Sequence, residues 1–400
     1  MKKKKLFLLA SLAAALAMTS CSSFDEPAAL DGNGMPLTRS GENSYPVYSE
    51  ADLRDALEFG ETDITIASDI NLTQALEIND SVSISGTAGK KITSSAPIIC
   101  KASAIFSNLT IDATTPKGSG VINLEAENIV VELDGVNITQ HTEGTTDDSN
   151  YEGLGIKNVT CNNKLTLKNT DITMTANKYV RAINMYTQAN TDVELELDNC
   201  HITCGNVAGS PSVYARVLSF SGGVGTKDGK PVTIKNSTLE GAYYVVNSNG
   251  SRKVEVNVIG GTMDGRAAFN IWSKNFIASI DGTTLIGRNN YAGPTETFAT
   301  IVLNKNNDLA ATGSNFTIKD VTFKMFAKQT GSENTNIQYA ISYRASDQTL
   351  NVGGTITVID QEQQVLPAYV VANYGVTNID VNVEDGTTFN LNQANTKNFF

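Results

Sequence analysis

Glu240 and Asp264 are the two residues whose spacing could support acid–base chemistry. Each occupies the ninth position of a ten-residue pattern, and the two patterns begin at 232 and 256. If the patterns stack as neighbouring turns of one body, the two backbones lie about 4.8 Å apart on a single surface. Carboxyl groups about 5 to 5.5 Å apart suit a retaining glycosidase, and a wider gap suits an inverting one. Acids are also common at turns, so an ordinary surface pair is the alternative.

Aromatic and basic side chains in the same part of the chain could bind a sugar. Aromatic rings stack on the C–H face of a sugar, while arginine and carboxylates fix its hydroxyl or acid groups. Arg266 could serve as a ligand contact or as a third catalytic residue. The alternative is that Trp272 and one tyrosine point into the core, as aromatic residues in strands often do. The ligand-binding candidates are Tyr214, Tyr243, Tyr244, Arg266, Trp272 and Tyr291.

Metal, serine and nucleotide chemistry have little support in the sequence. His141 and His201 are the only histidines, and neither has a cysteine or a second histidine at ligand spacing. The acidic segment 143–152 could hold calcium, but it lacks the register of a known calcium loop, and a solvated loop is the alternative. No Gly-x-Ser-x-Gly elbow, phosphate loop or dinucleotide fingerprint occurs. We therefore expect no cofactor, with calcium as the one exception to test.

Four cysteines in the body of the chain, Cys100, Cys161, Cys200 and Cys204, show no close-spaced metal or redox motif. Cys200 and Cys204 flank a predicted strand and would point in different directions along it. We expect free, buried thiols that pack as small hydrophobic groups, although an even count leaves disulfides open.

The elements that must position these residues are repeats. A ten-residue pattern, apolar-x-apolar-x followed by Asn, Asp or Gly, recurs along the chain. Alternation points its first and third residues to one side, and its fifth residue tolerates the left-handed conformation of a sharp bend. Each pattern therefore predicts a strand followed by a corner. The patterns begin at 82, 104, 131, 165, 195, 232, 256, 278, 316, 356 and 381, with corners at Gly86, Asn108, Gly135, Asn169, Asn199, Asn236, Gly260, Gly282, Asp320, Asp360 and Asp385.

The spacing of the patterns predicts a solenoid with loops on one edge. Successive patterns begin 22 to 40 residues apart; the shortest spacing suffices for one coil of a three-sided β-helix, and the excess must be loops. The segments 141–152, 205–214, 288–297 and 327–337 should leave the same corner and form a wall. The coils that begin at 232 and 256 have no room for such loops. The wall should therefore have a notch roughly 10 to 15 Å wide, which suits one or two sugar rings.

A short helix precedes the repeats. Ser49 as N-cap, Asp52 three residues later and apolar residues at 53, 56 and 57 predict a helix over 49–57 that covers the open first coil. This helix, the segments 64–70 and 82–86 that follow it, and the repeats resemble the pectate-lyase-like superfamily of right-handed parallel β-helices. The resemblance covers nearly all of residues 46–400 and implies one all-β solenoid domain there.

The resemblance implies no single activity, because members include polysaccharide lyases, glycoside hydrolases, adhesins and phage tailspikes. In the lyases, an arginine or lysine removes the proton beside a uronate carboxylate while calcium offsets the charge. A row made of Arg181, Arg216, Arg266 and Arg344 could serve an anionic sugar in a similar way, and surface arginines are the alternative. No residue matches a lyase motif.

The N-terminus has the features of a secretory signal over 1–20: a basic stretch from Lys2 to Lys5, an apolar run too short to cross a membrane, and small residues at its end. Met18-Thr19-Ser20-Cys21 resembles the bacterial lipobox, although the usual first residue is Leu. The segment after Cys21 resembles the acidic export signal of Bacteroidetes lipoproteins. We expect lipidation at Cys21, a flexible tether over 21–45 and attachment to the outer membrane, facing the cell exterior.

The charge of the chain excludes nucleic acid as a partner. Loss of the four signal lysines lowers the positive count from 30 to 26 against 42 negative side chains, which gives a net charge of −16. Nucleic-acid binding needs a basic footprint, and an anionic membrane surface would repel such a chain unless the attachment is covalent. Three functions remain open: a surface lipoprotein that binds glycan without cleaving it, a polysaccharide lyase or glycoside hydrolase, and an adhesin with a protein partner.

The lipobox predicts how a substitution of Cys21 changes processing and membrane attachment. We expect Cys21→Ser to leave the protein soluble or unprocessed, because the thiol that would carry the lipid is gone. Intact-mass analysis and detergent partitioning of wild type and variant measure this directly. Identical mass shifts and partitioning in the two proteins would contradict the anchor.

Overall fold

The computed structural model describes residues 44–115, 118–142, 152–176, 179–205, 214–288, 299–305, 309–326, 339–360, 371–373 and 376–390. Three of the sequence expectations concern residues outside these ranges: the signal over 1–20, Cys21, and nearly all of the tether. The calcium candidate loop is also outside them, apart from Glu152 at the start of a strand. In the part of the chain that is described, no helix is long and apolar enough to cross a membrane.

The described residues form a right-handed parallel β-helix, which confirms the expected fold class. Every pairing between its strands is parallel, and each strand pairs with its counterparts in the preceding and following coils. Each coil passes through three faces. The first face is a separate 13-stranded sheet, and the second and third faces together form a 21-stranded sheet.

The strands of the first face are Tyr45–Val47, Asp63–Ile66, Val82–Gly86, Ala104–Ser107, Val130–Asp134, Lys164–Lys168, Glu194–Asp198, Val232–Lys235, Glu255–Ile259, Ile277–Asp281, Asn315–Lys319, Gln348–Gly353 and Ile379–Val383. The second face contains Ile70–Leu72, Lys91–Ser94, Thr110–Ala113, Asn137–Thr142, Asp171–Ala176, His201–Cys204, Thr284–Arg288, Thr322–Phe326, Thr355–Asp360 and Thr388–Asn390. The third face contains Leu76–Ile78, Ile98–Cys100, Gly120–Leu124, Glu152–Asn158, Tyr179–Asp192, Tyr214–Gly225, Ala299–Leu303, Tyr339–Tyr343 and Val371–Asn373. Two strands, Thr238–Ser248 and Thr262–Ile271, run through both the second and the third face.

The corner between the first and second faces has the conformation that the repeats predict. A positive φ is found at Asn108, Gly135, Asn169, Asn199, Asn236, Gly260, Gly282 and Asp320, with values from 48° to 67°. The amides at this corner also bond from coil to coil: Asn169 Nδ2 donates to Asp134 Oδ1 at 3.0 Å, and Asn199 Nδ2 donates to Asn169 Oδ1 at 2.8 Å. The short polar side chains thus both permit the bend and connect successive bends.

Three of the eleven predicted corners are wrong. Gly86 has no positive φ. The pattern at 356 lies on the second-face strand Thr355–Asp360, and the first-face strand of that coil is Gln348–Gly353, with its corner at Gly354 (φ 63°). In the last coil the positive φ is at Gly386 rather than Asp385. The error at 356 has a simple cause, because strands of both faces alternate with the same period and point alternate residues inward.

The inward residues fill one continuous core. The third residue of each pattern is at most 1% exposed from Ile84 through Val358. Val383, in the final first-face strand, is 38% exposed and departs from this rule. Full burial of each Val, Leu or Ile contributes about 1.5 to 3 kcal/mol, so the core is built from many similar increments.

The predicted helix is present as Glu50–Glu58, with Ser49 as its N-cap. Ser49 Oγ accepts a hydrogen bond from the Asp52 backbone N–H at 3.1 Å, and Asp52 Oδ2 accepts one from the Tyr48 N–H at 3.0 Å. Leu53 and Ala56 are fully buried in the core of the solenoid. The helix therefore covers the first coil as expected.

None of the described cysteines, Cys100, Cys161, Cys200 and Cys204, forms a disulfide, as expected. Cys100, Cys200 and Cys204 are buried, and Cys161 is partly buried. Burial raises the pKa of Cys100 and of Cys204 to about 12, so these two thiols stay protonated at neutral pH.

The corner geometry predicts different outcomes for two substitutions at Gly282. A Cβ there would meet nothing closer than 3.9 Å, so the cost of a side chain is conformational. We expect Gly282→Val to lower the free energy of unfolding by about 1 to 2 kcal/mol, because a β-branched residue strongly disfavours the left-handed region. Gly282→Asn is the matched control, since Asn holds this corner at Asn169, Asn199 and Asn236. Equal denaturant midpoints for the Val and Asn variants would contradict the assigned corner.

Candidate functional site

The junction between the second and third faces differs from coil to coil. The segments 143–151, 206–213, 289–298 and 327–338 all lie between a second-face strand and the third-face strand that follows it. They match the four predicted insertions and leave the same corner, although their structure lies outside the described residues. In the coils of Thr238–Ser248 and Thr262–Ile271, one strand passes through the junction without an insertion. The predicted absence of loops in two neighbouring coils is confirmed.

Four tyrosines line this junction over three consecutive coils, and we call them the tyrosine row. The rings of Tyr179 and Tyr214 stack with their centroids 5.1 Å apart and 12° between their planes. Tyr214 meets Tyr243 edge to face at 4.9 Å, and Tyr243 meets Tyr244 at 4.2 Å. All four residues are partly exposed. Tyr214 was expected in a loop but begins the strand Tyr214–Gly225, and Tyr291 lies outside the described residues.

The strand register explains the row. Tyr179 and Tyr214 are Cα partners in neighbouring coils, and so are Arg181 and Arg216, which follow them by two residues. Arg216 in turn pairs with Tyr244. A Tyr-x-Arg sequence repeated in two coils is therefore stacked on itself by parallel pairing.

Arginines hold the surroundings of the tyrosine row in place. The Arg266 guanidinium lies 4.7 Å from the ring centroid of Tyr243, within the range of a cation–π contact, and Arg266 is only 3% exposed. Arg181 Nη1 donates to Asn184 Oδ1 at 2.9 Å. Arg344 lies on the third face just after the strand Tyr339–Tyr343, in a later coil than the tyrosine row. The arginines that the structure describes at the row thus make contacts within the protein.

Tyr244 anchors the row on the third face. Its ring packs against the buried apolar residues Ala267, Ala299 and Val302. Burial raises the pKa of the Tyr244 phenol, with a further contribution from Tyr243, so the phenol keeps its proton at neutral pH. Tyr244 is therefore a fixed support, whereas Tyr214 and Tyr243 are the more available rings.

Glu240 and Asp264 are Cα partners in neighbouring coils, as the spacing predicted. Their environments differ. Asp264 is 5% exposed, and both of its oxygens accept hydrogen bonds of 2.6 Å from Arg288, one from Nε and one from Nη2. These hydrogen bonds raise the pKa of the Arg288 guanidinium. The Glu240 side chain is 34% exposed, and its Oε1 is 4.0 Å from His201 Nε2. Asp264 is thus engaged as the anchor of Arg288, and a catalytic role for the pair stays a prediction.

A row of small polar side chains runs beside the tyrosines on the outer side of the third face. Asn184, Ser219, Asn247 and Asn270 are Cα partners in consecutive coils, and we call them the polar floor. Each is at most 4% exposed. Asn270 Nδ2 donates to Asn247 Oδ1 at 2.7 Å, and Asn304 Nδ2 donates to Asn270 Oδ1 at 2.5 Å. Each residue of the polar floor directly follows an apolar residue that points into the core. Side chains alternate along a strand, so the polar floor lies on the outer side. The inward residues are Ile183, Leu218, Val246 and Phe269.

Trp272 lies across the polar floor from the tyrosine row. It follows the last residue of the strand Thr262–Ile271, and its backbone N–H donates to Ser248 O at 2.7 Å. Ile271 is buried in the core, so alternation turns Trp272 outward, and the residue is partly exposed. It is five positions after Ala267, a span of about 16 Å along a strand. Trp272 therefore lies about 16 Å along the strand direction from the tyrosine row, and the structure does not bring it beside Tyr243 and Tyr244.

Several parts of this surface were not singled out from the sequence. Tyr179 and Arg288 were missed, as was the polar floor. The repeated Tyr-x-Arg at 179–181 and 214–216 could have revealed Tyr179. The floor residues have no local signal, because Asn and Ser occur at many outward positions. Among the described residues, no cluster of three or more His, Cys, Asp or Glu side chains could hold a metal ion.

Comparisons with known proteins find only distant similarity. No protein-family model matches the sequence, and no curated protein is significantly similar to it. Among solved structures, the tailspike protein gp208 of Dettilon is 11% identical, with a TM-score of 0.44, over 88% of this chain and 67% of that one. An alginate lyase from Paenibacillus sp. str. FPU-7 is 11% identical, with a TM-score of 0.29, over 86% of this chain and 99% of that one. Identity this low leaves the function to be derived from the residues of the chain itself.

The two carboxylates of the junction should respond differently to neutralisation. We expect Asp264→Asn to lower the free energy of unfolding by about 1 to 3 kcal/mol, because it leaves a partly buried guanidinium without its bidentate partner. Glu240→Gln, its neighbour in the same register, should change stability by less than about 0.5 kcal/mol because it is more exposed. Urea unfolding of both variants measures the difference. Similar losses in the two variants would show that Arg288 does not depend on Asp264.

Proposed function

We propose that this chain is a lipid-anchored envelope protein that binds carbohydrate along the tyrosine row and does not cleave it. The observation that carries the proposal is the continuous contact of four tyrosine rings over three coils. Of those three coils, the coil of Tyr214 carries the insertion 206–213, whereas the coil of Tyr243 and Tyr244 has no insertion at the junction. The rings therefore begin beside one insertion and continue to the coil where the predicted wall is interrupted. Partly exposed aromatic rings in contact with one another over three coils fit an extended ligand.

The chemistry of the row suits a sugar. A ring face can accept the C–H face of a sugar, while phenol hydroxyls and nearby amides bond its hydroxyl groups. The Arg266 guanidinium beneath Tyr243 restrains that ring, so less side-chain entropy is lost when a ligand stacks on it. A rigid aromatic surface that is formed before the ligand arrives supports binding as the primary role.

Binding without cleavage is proposed because of the state of Asp264. Acid–base hydrolysis by a carboxylate pair needs one group to deliver a proton and the other to act as nucleophile or base. Both Asp264 oxygens are bonded to Arg288, which occupies them and blocks their approach to a glycosidic bond. This arrangement suits a structural anion better than a catalytic acid.

The anchor and the location belong to the same proposal. Cys21 at the end of a secretory signal, followed by a polar segment that leads into the first strand at Tyr45, suits a solenoid held at the outer membrane and facing the exterior. Its net negative charge supports covalent attachment over electrostatic adsorption.

The tyrosine row predicts which substitutions weaken binding. We expect Tyr214→Ala and Tyr243→Ala each to weaken polysaccharide binding about three- to tenfold, because an aromatic contact contributes about 0.5 to 1.5 kcal/mol. Xylan, mannan, laminarin, pectin and alginate are suitable probes, measured by affinity electrophoresis and titration calorimetry. Tyr48→Ala is the matched control, since Tyr48 is 62% exposed beside the N-terminal helix, away from the row.

Three results would count against the proposal. Release of reducing ends or unsaturated products from any probe would identify an enzyme instead. Unchanged affinity in folded Tyr214→Ala and Tyr243→Ala proteins would place the glycan site elsewhere. If wild type binds none of the five probes, an adhesin with a protein partner becomes the better hypothesis.

A further inference from the structure

Tyr186 is an exposed aromatic residue of the third face that does not belong to the tyrosine row. It lies on the strand Tyr179–Asp192, and it is 39% exposed. Among the described residues, the other aromatic side chains with at least this exposure lie at the N-terminal end of the solenoid and are Tyr45, Tyr48 and Phe59. The Tyr186 ring is therefore an outward ring on a paired strand in the middle of the solenoid, where a ligand can reach it.

The strand register places Tyr186 in line with Trp272. Tyr186 is the Cα partner of Ser221 in the next coil. The backbone N–H groups of Asn249 and Trp272 donate to carbonyls of the coil before, at 3.0 and 2.7 Å, in the parallel pattern that pairs Asn249 with Ser221 and Trp272 with Asn249. With about 4.8 Å between coils, the two aromatic residues are about 14 Å apart along the axis of the solenoid.

The two coils between these rings carry only small, uncharged residues at this position. Ser221 and Asn249 lie in line with the rings, and both are partly exposed. Each is followed by a glycine. A Cβ at Gly222 would collide with the Thr187 carbonyl oxygen, and a Cβ at Gly250 would lie 3.0 Å from the Gly222 carbonyl oxygen. Neighbouring backbones are thus close together here, and no bulky side chain separates the two rings.

We propose that Tyr186 and Trp272 form a second glycan subsite, in which a polysaccharide chain runs parallel to the axis of the solenoid and stacks on both rings. The inference rests on the proposed function and adds a second line of contact and the direction of the ligand. The aromatic rings take the C–H faces of two sugars, and the small residues between them leave room for the sugars that link these two. Because Trp272 is about 16 Å along the strand direction from the tyrosine row, the two lines hold separate, parallel stretches of glycan.

The fluorescence of Trp272 reports on this subsite alone, because Trp272 is the single tryptophan of the chain. We expect whichever of xylan, mannan, laminarin, pectin or alginate binds the wild type to shift the emission of Trp272 and to protect it from quenching by acrylamide. Both changes should persist in Tyr214→Ala, which removes a ring from the tyrosine row and leaves the second subsite intact.

Substitutions at both ends of the subsite test the stacking. We expect Tyr186→Ala and Trp272→Ala each to weaken binding of that polysaccharide about three- to tenfold in titration calorimetry, because each removes one aromatic contact. Trp272→Phe keeps a ring and should recover most of the affinity that Trp272→Ala loses. Tyr48→Ala is the matched control, since Tyr48 is exposed but distant from both lines. Denaturant midpoints of all four variants check that they are folded.

The outcomes separate this inference from the proposed function. If a probe binds the wild type without changing the emission or the quenching of Trp272, and folded Tyr186→Ala and Trp272→Ala bind it as tightly as wild type, the second subsite is wrong. A loss in only one of the two variants would contradict a chain that stacks on both rings. The tyrosine row would still stand if Tyr214→Ala and Tyr243→Ala weakened binding in the same assay. Absence of wild-type binding to all five probes would overturn both.

Discussion

The parallel register between coils is the constraint on which the rest of the molecule depends. Each residue faces its counterpart about 4.8 Å away in the next coil. Whether a position in the coil points its side chain inward or outward is therefore the same throughout the stack. From the coil of Asn108 to that of Gly354, the left-handed corner between the first and second faces maintains that choice, because it returns the chain to the same position in each coil. Asn169 and Asn199 show how the sequence secures it: their side chains tolerate the bend and bond to the coil before.

The same register produces the candidate site. A Tyr-x-Arg sequence in two coils becomes a stack of Tyr179 on Tyr214 and of Arg181 beside Arg216, because parallel in-register pairing superimposes identical positions. The length of the chain can vary at the junction between the second and third faces, because an insertion there does not disturb the pairing of any strand. The tyrosines therefore collect at this junction where the flanking strands pair in register from coil to coil.

The sequence predicted the fold well because its signals are periodic and repeated. The alternation at Leu165 and Leu167 followed by Asn169 recurs with the same geometry in most coils, so a single misplaced pattern does little harm. The pattern at 356 failed because a second-face strand alternates in the same way. Of the candidate site, the sequence singled out Tyr243, Tyr244 and Trp272 from coil lengths, and their role stays a prediction. Ser219 and Asn247 instead acquire their environment from neighbours in other coils. Nothing local in the chain distinguishes them from exposed polar residues.

Stacking identical positions also has an electrostatic consequence that the junction must accommodate. Placing Arg181 beside Arg216 brings like charges to adjacent coils, which is unfavourable in an isolated strand pair. The structure offsets this with local acceptors: Arg181 bonds Asn184, Arg266 lies over the Tyr243 ring, and Arg288 is neutralised by Asp264. Each arginine thereby fixes a neighbour that the proposed ligand would meet. The cationic groups of an otherwise acidic chain thus hold the aromatic rings and amides of this junction in place.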